Sequence, residues 1–67
     1  MQNTLKIDRA IRGITQVSLA QKVNVSRQTI NAIENGKMIP STTLALKLSI
    51  VFEKNVNDMF FLEEKDI

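Results

Sequence analysis

Apolar residues recur along this chain three and four positions apart, which is the spacing of α-helices that bury one face. Polar residues and glycines interrupt the pattern at short intervals and mark where each helix begins and ends. Five helices are predicted, at about residues 5–12, 16–23, 27–35, 42–52 and 56–60. Residues 61–67 are predicted to be a tail or a short strand. The pattern therefore predicts one all-α domain, residues 1–67, built as a compact five-helix bundle.

Residues suited to capping stand at the ends of these segments. A side-chain oxygen just before a helix accepts a hydrogen bond from a free backbone N–H of its first turn. The residues in that position are Thr4, Thr15, Ser26, Ser41 and Asn55. Gly13 and Gly36 are suited to end the first and third helices, and Asn24 tolerates the left-handed conformation that a tight turn requires.

The apolar face of each predicted helix supplies the predicted core. In the first helix the apolar positions are Leu5, Ile7 and Ile11. The inward positions of the next three helices are Leu19, Ala20 and Val23; Ile30 and Ile33; and Leu44, Ala45, Leu48, Ser49 and Phe52.

The third predicted helix has an unusual outer face. Its outward positions are Arg27, Gln28, Asn31, Ala32 and Asn35. Amide and guanidinium groups hydrogen-bond to base edges and are not repelled by phosphates. Only a turn of three or four residues, within 23–26, separates this helix from the second one, so the pair is predicted to be a helix-turn-helix. The pattern alone is moderately specific, because many helical hairpins share it.

Composition argues against catalysis. The 67 residues include no histidine and no cysteine, so the usual general base, thiolate nucleophile and transition-metal ligands are absent. The seven acidic residues are scattered, and we predict no metal site, no cofactor and no enzyme. No apolar run reaches the ~18 residues of a membrane span, and the N-terminus lacks the regions of a signal peptide. A cytoplasmic protein without membrane association is expected.

Charge is unevenly distributed. Residues 1–47 contain seven Lys and Arg against two acidic residues, a net +5, whereas residues 48–67 contain two against five, a net −3. A basic front half with an acidic tail suits a protein that presents one end to a polyanion. Ordinary scatter of charge is the alternative.

The motifs TQ..LA in the second helix and SRQTINAIENGK through the third resemble those of helix-turn-helix regulators of the phage-repressor and Cro type, the XRE family. The resemblance extends over roughly residues 5–60 and is closest to the small stand-alone prokaryotic members. It implies a lambda-repressor-like DNA-binding domain. Members are mostly homodimers, and some form a short two-stranded sheet from their termini.

The resemblance also implies roles for individual residues. Members place the third helix in the major groove of operator DNA, and the matching base-facing residues are Arg27, Gln28, Asn31 and Ala32. Phosphate contacts are implied for Gln16, Ser26, Asn35 and Lys37, and a structural salt bridge for Arg9 and Glu34. The sequence departs from the family in two places: Val17-Ser18 replaces a common acidic pair, and Glu53 replaces a common glycine.

The chemistry of these side chains agrees with such roles. The amides of Gln28 and Asn31 match the N6 and N7 atoms of adenine, and Arg27 can pair with guanine or clamp a phosphate. Ala32 suits contact with a thymine methyl, or only makes room. Thr29 points to the flank of the helix, so packing is its expected main role and contact with a phosphate its second role. The alternative for the polar residues, and for Lys37, is that they are solvated surface groups.

Leu46 and Ile50 lie opposite the core face of the fourth helix, where a chain this short has no obvious way to cover them. With Val51, Phe61 and Leu62 they form the predicted dimer surface. Alternatively, the tail folds back over Leu46 and Ile50 within one monomer.

Together these observations predict a sequence-specific transcriptional regulator whose partner is double-stranded DNA. It is expected to bind a two-fold related operator as a homodimer and to repress transcription. No small-molecule ligand is evident from the sequence. The alternative is a protein-interaction module, such as the antitoxin of a toxin–antitoxin pair, that uses the acidic and apolar tail.

Overall fold

Four α-helices and one two-stranded antiparallel sheet make up the fold. A computed structural model describes residues 1–67, in which the order of elements is β1 (Gln2–Asn3), α1 (Leu5–Arg12), α2 (Gln16–Val23), α3 (Arg27–Glu34), α4 (Thr42–Phe52) and β2 (Phe60–Phe61). Single 3₁₀ turns occur at Val56–Asp58 and Glu64–Asp66. No helix has both the length and the apolar character that crossing a bilayer requires.

The predicted fifth α-helix is wrong. Residues Val56–Asp58 form one 3₁₀ turn, after which Phe60 and Phe61 become extended and pair with β1. Phe61 lies opposite Gln2, and Phe60 lies opposite Asn3. Because strand pairing takes up the backbone groups that a longer helix would use, the helix ends early. The short sheet formed by the two termini is confirmed.

Hydroxyl caps set the starts of α2, α3 and α4 as predicted. The hydroxyl oxygens of Thr15, Ser26 and Ser41 each accept a hydrogen bond from the backbone N–H three residues later, at distances of 3.0–3.1 Å. Thr4 does not cap α1, because its hydroxyl donates to Asp8 (2.7 Å). Instead, the side-chain oxygen of Asn3 accepts a hydrogen bond from the Leu5 N–H at 3.0 Å. Asn55 makes no side-chain cap bond.

The core lies between α2, α3, α4 and the segment that follows α4. It contains eleven buried apolar residues: Leu5, Leu19, Ala20, Val23, Ile30, Ile33, Leu44, Leu48, Phe52, Met59 and Phe60. Met59 is fully buried, and together with Phe60 it anchors the chain after the last helix. The inward faces predicted for α2 and α3 are therefore confirmed, as are Leu44, Leu48 and Phe52 of α4.

The inward face predicted for α1 is wrong at two of its three positions. Ile7 and Ile11 are 61% and 76% exposed, whereas Asp8 is buried. Successive residues of a helix are turned by about 100°, so the face that begins at Leu5 continues through Asp8, Arg9 and Arg12. Helix α1 thus turns one apolar and three charged residues towards the rest of the protein.

Each of these charged residues has a defined partner. Asp8 accepts hydrogen bonds from Thr4 and from Lys54 (3.2 Å). Arg12 donates to the backbone carbonyl of Phe52 at 3.0 Å and lies over its ring, 5.9 Å from the centroid. A cation that binds the last carbonyls of a helix also complements the helix dipole. Hydrogen bonds and charge therefore hold α1 against the end of α4.

Arg9 joins α1 to α3. Its guanidinium donates two hydrogen bonds to the Glu34 carboxylate, one of them 3.0 Å long, and a third to the carbonyl of Ile14 at 2.9 Å. The Glu34 side chain is only 3% exposed. Burial acts to raise the pKa of Glu34, but hydrogen bonds from Arg9 and Gln16 outweigh it and hold the pKa below its ordinary value. The predicted Arg9–Glu34 salt bridge is present in the fold.

Replacing Glu34 with alanine is expected to destabilise the fold by about 3 kcal/mol, because Arg9 would remain partly buried without its counter-charge. For a domain of this size the midpoint of thermal unfolding should fall by about 10 °C or more. Circular dichroism melting measures the change. Glu64→Ala, which removes an exposed glutamate outside any ion pair, is the matched control and should stay within about 2–4 °C of the parent. Equal melting temperatures for the two variants would contradict the structural role of Glu34.

Glu53, which follows α4, is the second testable position. It adopts a left-handed conformation with φ 53°, where glycine is favoured over residues that carry a Cβ. Its side chain is 81% exposed and lies 3.7 Å from Arg12, too exposed for a strong ion pair. Glycine would relieve a strain of roughly 1–2 kcal/mol but loses roughly 0.5–1 kcal/mol through its greater freedom in the unfolded chain. Glu53→Gly is therefore expected to stabilise the protein by a net of about 0.5–1 kcal/mol, measured by urea denaturation. Glu53→Ala loses the same carboxylate but keeps a Cβ, so its free energy of unfolding should not rise. An equal rise in both variants would show that backbone strain is not the cause.

Candidate nucleic-acid interface

Helices α2 and α3 meet through a turn of three residues. Asn24 has a left-handed conformation (φ 59°), as predicted, and reverses the chain after α2. Val25 then packs against the core, and its N–H donates to the carbonyl of Ala20 at 3.0 Å. Ala20 is buried, and its small side chain allows another helix to approach closely. The predicted helix-turn-helix is therefore formed.

The outer face of α3 is accessible. Arg27, Gln28 and Asn31 are exposed, while Ile30 and Ile33 on the opposite face are buried. Thr29 and Ala32 are half-buried at the flanks. Asn35 is exposed just beyond α3, which ends at Glu34, one residue earlier than predicted. The fold thus exposes the polar residues predicted to meet bases and buries the apolar ones that hold the helix.

Gln16 connects several of these residues. Its side-chain oxygen accepts a hydrogen bond from Arg27 at 2.9 Å. Its nitrogen donates to Glu34 at 3.0 Å and to Asn31 at 3.2 Å. Together with Arg9, these residues form one hydrogen-bonded network that runs from α1 to the outer face of α3. All five residues are predicted from the sequence, but the hydrogen bonds by which Gln16 joins them are not.

The start of α3 offers donors suited to a phosphate. The Ser26 hydroxyl caps the Thr29 N–H and lies 3.0 Å from the Thr29 hydroxyl, so these two predicted phosphate contacts are adjacent. Helix α2 begins in the same way, with Gln16 at its first position. Free N–H groups at a helix N-terminus attract anions. Lys37 is exposed beyond the far end of α3 and adds a positive charge.

The only carboxylate on α3 is neutralised. Glu34 carries the one negative charge of the helix, and Arg9 pairs with it. Arg27 and Lys37 make no ion pair. The surface around α3 is therefore electrically suited to a polyanion.

A side chain from β1 supports the far end of α3. The amide of Asn3 donates to the carbonyl of Ile33 at 2.8 Å, one of the last carbonyls of the helix. This contact is not predictable from the sequence, since an asparagine in this position gives no signal of a distant partner. The Met1 ammonium forms ion pairs with Glu63 (2.9 Å) and Asp66 (3.1 Å), which fastens this segment to the C-terminal tail.

A separate apolar surface lies on α4 and the tail. Leu46 and Ile50 are 52% and 75% exposed, so the tail does not fold back over them. Phe61 and Leu62 are also exposed, and Val51 is half-buried. Leu46 borders an apolar groove of about 320 Å³ lined mainly by Met1, Ile39, Pro40, Ala45, Val56 and Phe60.

Comparisons with known proteins agree with this geometry. The model of the helix-turn-helix family HTH_3 matches residues 5–58. A protein named as an uncharacterized HTH-type transcriptional regulator from Methanocaldococcus jannaschii is 47% identical over 66 residues, which cover 98% of this chain and 100% of that protein.

Two further relatives bear the same kind of name. The regulator YgzD of Bacillus subtilis is 44% identical over 66 residues, covering 98% of this chain and all of its own length. A regulator of Archaeoglobus fulgidus is 39% identical over 67 residues, covering 100% of this chain and 96% of its own. With the helix-turn-helix and the exposed polar face of α3, these matches establish that the chain belongs to the XRE-type helix-turn-helix family of transcriptional regulators and is a DNA-binding regulator, not an enzyme.

Proposed function

We propose that this regulator binds a two-fold related operator as a homodimer and inserts α3 into the major groove. The observation that carries the proposal is the exposed outer face of α3, where the Asn31 amide and the Arg27 guanidinium are held by a network anchored in the fold. A rigidly held face favours recognition, because less side-chain freedom is lost on binding.

Gln28 is the best candidate for direct base recognition. It is exposed, and its amide has no partner within the protein, so both its donor and its acceptor face solvent. This combination matches the N6 and N7 atoms of adenine. Arg27 gives one donor to Gln16 and keeps others for a guanine or a phosphate. Ala32 is half-buried at the flank of α3, and we propose that it touches a thymine methyl.

The phosphate contacts are proposed around this face. Ser26 and Thr29 lie at the start of α3, and Asn35 and Lys37 lie beyond its end. Gln16 uses both of its amide hydrogens inside the protein, so we assign its phosphate contact to the backbone N–H at the start of α2. These contacts would fix the orientation of α3 without reading sequence.

A second copy is needed because one eight-residue helix reads only a few base pairs. We assign the dimer surface to Leu46, Ile50, Val51, Phe61 and Leu62, most of which are exposed in the single chain. A dimer with two-fold symmetry would place two α3 helices about 34 Å apart on one face of the DNA. Occupying an operator in this way blocks access of polymerase, and we propose repression for that reason.

Selection of bound sequences from random DNA tests base recognition. The wild type should select two half-sites about one helical turn apart. Gln28→Ala should remove the preference for adenine at one position in each half-site, at a cost of about 1–3 kcal/mol in binding to the selected site. Gln21→Ala removes an exposed glutamine of α2 and is the control, so it should leave the selected sequence unchanged. If the wild type selects no sequence, the proposal of specific recognition is wrong.

Light scattering tests the dimer. At tens of micromolar without DNA, the wild type should have the mass of a dimer, and Ile50→Glu should have the mass of a monomer, because a charge would be buried at the contact. Ile11→Glu changes an equally exposed isoleucine on α1, 76% against 75%, and should remain a dimer. A monomeric wild type under these conditions would reject the homodimer, and a dimeric Ile50→Glu would reject the assigned surface.

A further inference from the structure

The orientation of the Gln16 amide is fixed by the chemistry of its neighbours. Arg27 can only donate hydrogen bonds, so the atom of Gln16 that faces it, at 2.9 Å, must be the oxygen. The Glu34 carboxylate, ionised and paired with Arg9, can only accept, so the atom that faces it must be the nitrogen. Reversing the amide would break both bonds at once.

Gln16 in turn fixes the orientation of Asn31. Its nitrogen donates to the side-chain oxygen of Asn31 at 3.2 Å. If the Asn31 amide were reversed, two NH₂ groups would face each other with no acceptor between them. The Asn31 oxygen therefore points towards Gln16. Its nitrogen has no partner in the protein, and Asn31 is exposed, so two N–H donors remain available on the outer face of α3.

This orientation changes which base Asn31 suits. Pairing with adenine needs the amide oxygen and nitrogen side by side, one accepting from N6 and the other donating to N7. Here one of the two lone pairs of the oxygen is occupied by Gln16, and the nitrogen with its two N–H donors is the free group; at adenine it can donate to N7 but meets a donor at N6. Guanine presents only acceptors there, O6 and N7, and thymine presents O4 beside its methyl group.

We propose that Asn31 is a specificity-determining residue that donates to a keto base, guanine or thymine. Gln16 is the positioning residue, and it is held in turn by Arg9 and Glu34. The inference rests on the proposed insertion of α3 into the major groove. It departs from the pairing with adenine that residue type alone suggested for Asn31, while Gln28, whose amide is unconstrained, retains that pairing.

Selection from random DNA with a series of variants tests the proposal. Asn31→Ala identifies the position that Asn31 reads, as the one where the wild-type preference is lost. There the wild type should favour guanine or thymine over adenine by about 5-fold or more, the value of one hydrogen bond to a base edge. Whether guanine or thymine is selected distinguishes the two keto bases.

Asn31→Asp is the decisive variant. An aspartate oxygen can still accept from Gln16, but the outer atom becomes an acceptor. The preferred base at the same position should change to cytosine or adenine, which offer amino groups. Asn35→Asp adds the same charge at an exposed site outside the network and should weaken overall binding without changing the base.

Gln16→Ala tests the positioning role. Without Gln16 the Asn31 amide is free to turn, so adenine should be accepted at that position alongside the keto bases. The inference is overturned if the wild type selects adenine there, if Asn31→Asp keeps the keto base, if Gln16→Ala leaves the preference unchanged, or if Asn31→Ala alters no position. Each of these results is compatible with specific binding through Gln28, whereas a wild type that selects no sequence refutes the proposed function itself.

Discussion

The buried carboxylate of Glu34 is the point on which the structure depends. Arg9 reaches it from α1 and Gln16 from the start of α2, so one acidic side chain ties three helices together. A carboxylate with so little exposure is stable only while these donors surround it. The same bonds orient Gln16 and, through it, Arg27 and Asn31. Under the proposed function, stability and recognition therefore share one set of contacts, and a change at Glu34 is expected to affect both.

Local signals carry most of the fold. Hydroxyl residues before α2, α3 and α4 predict their starts, because a cap depends only on backbone N–H groups three residues away. Local signals do not determine which face of α1 is buried. Ile7 and Ile11 look like core residues by hydrophobicity, yet partners distant in sequence, Glu34 and Lys54, turn the charged side of the helix inward. The short sheet likewise depends on residues almost sixty positions apart.

The candidate site was predictable to the same degree. Sequence identifies the polar face of α3, because its period and residue types differ from those of an ordinary surface helix. It does not give the direction of each amide. That direction follows from whether a neighbour is a pure donor, such as Arg27, or a pure acceptor, such as Glu34, and those neighbours are known only once the helices are packed. Asn31 and Gln28 look equivalent in the sequence and are not equivalent in the fold.

The attachment of α1 through charge also determines which substitutions this helix tolerates over evolutionary time. An apolar seam accepts many residues of similar volume, whereas Asp8, Arg9 and Arg12 each need a partner of one polarity at one distance. Divergence on this side of α1 therefore has to proceed by paired exchanges. The outward side, with Ile7 and Ile11, has no buried contact to preserve and is free to drift. Descendants of this protein should thus keep the charged inner side of α1 while its apolar outer residues are replaced.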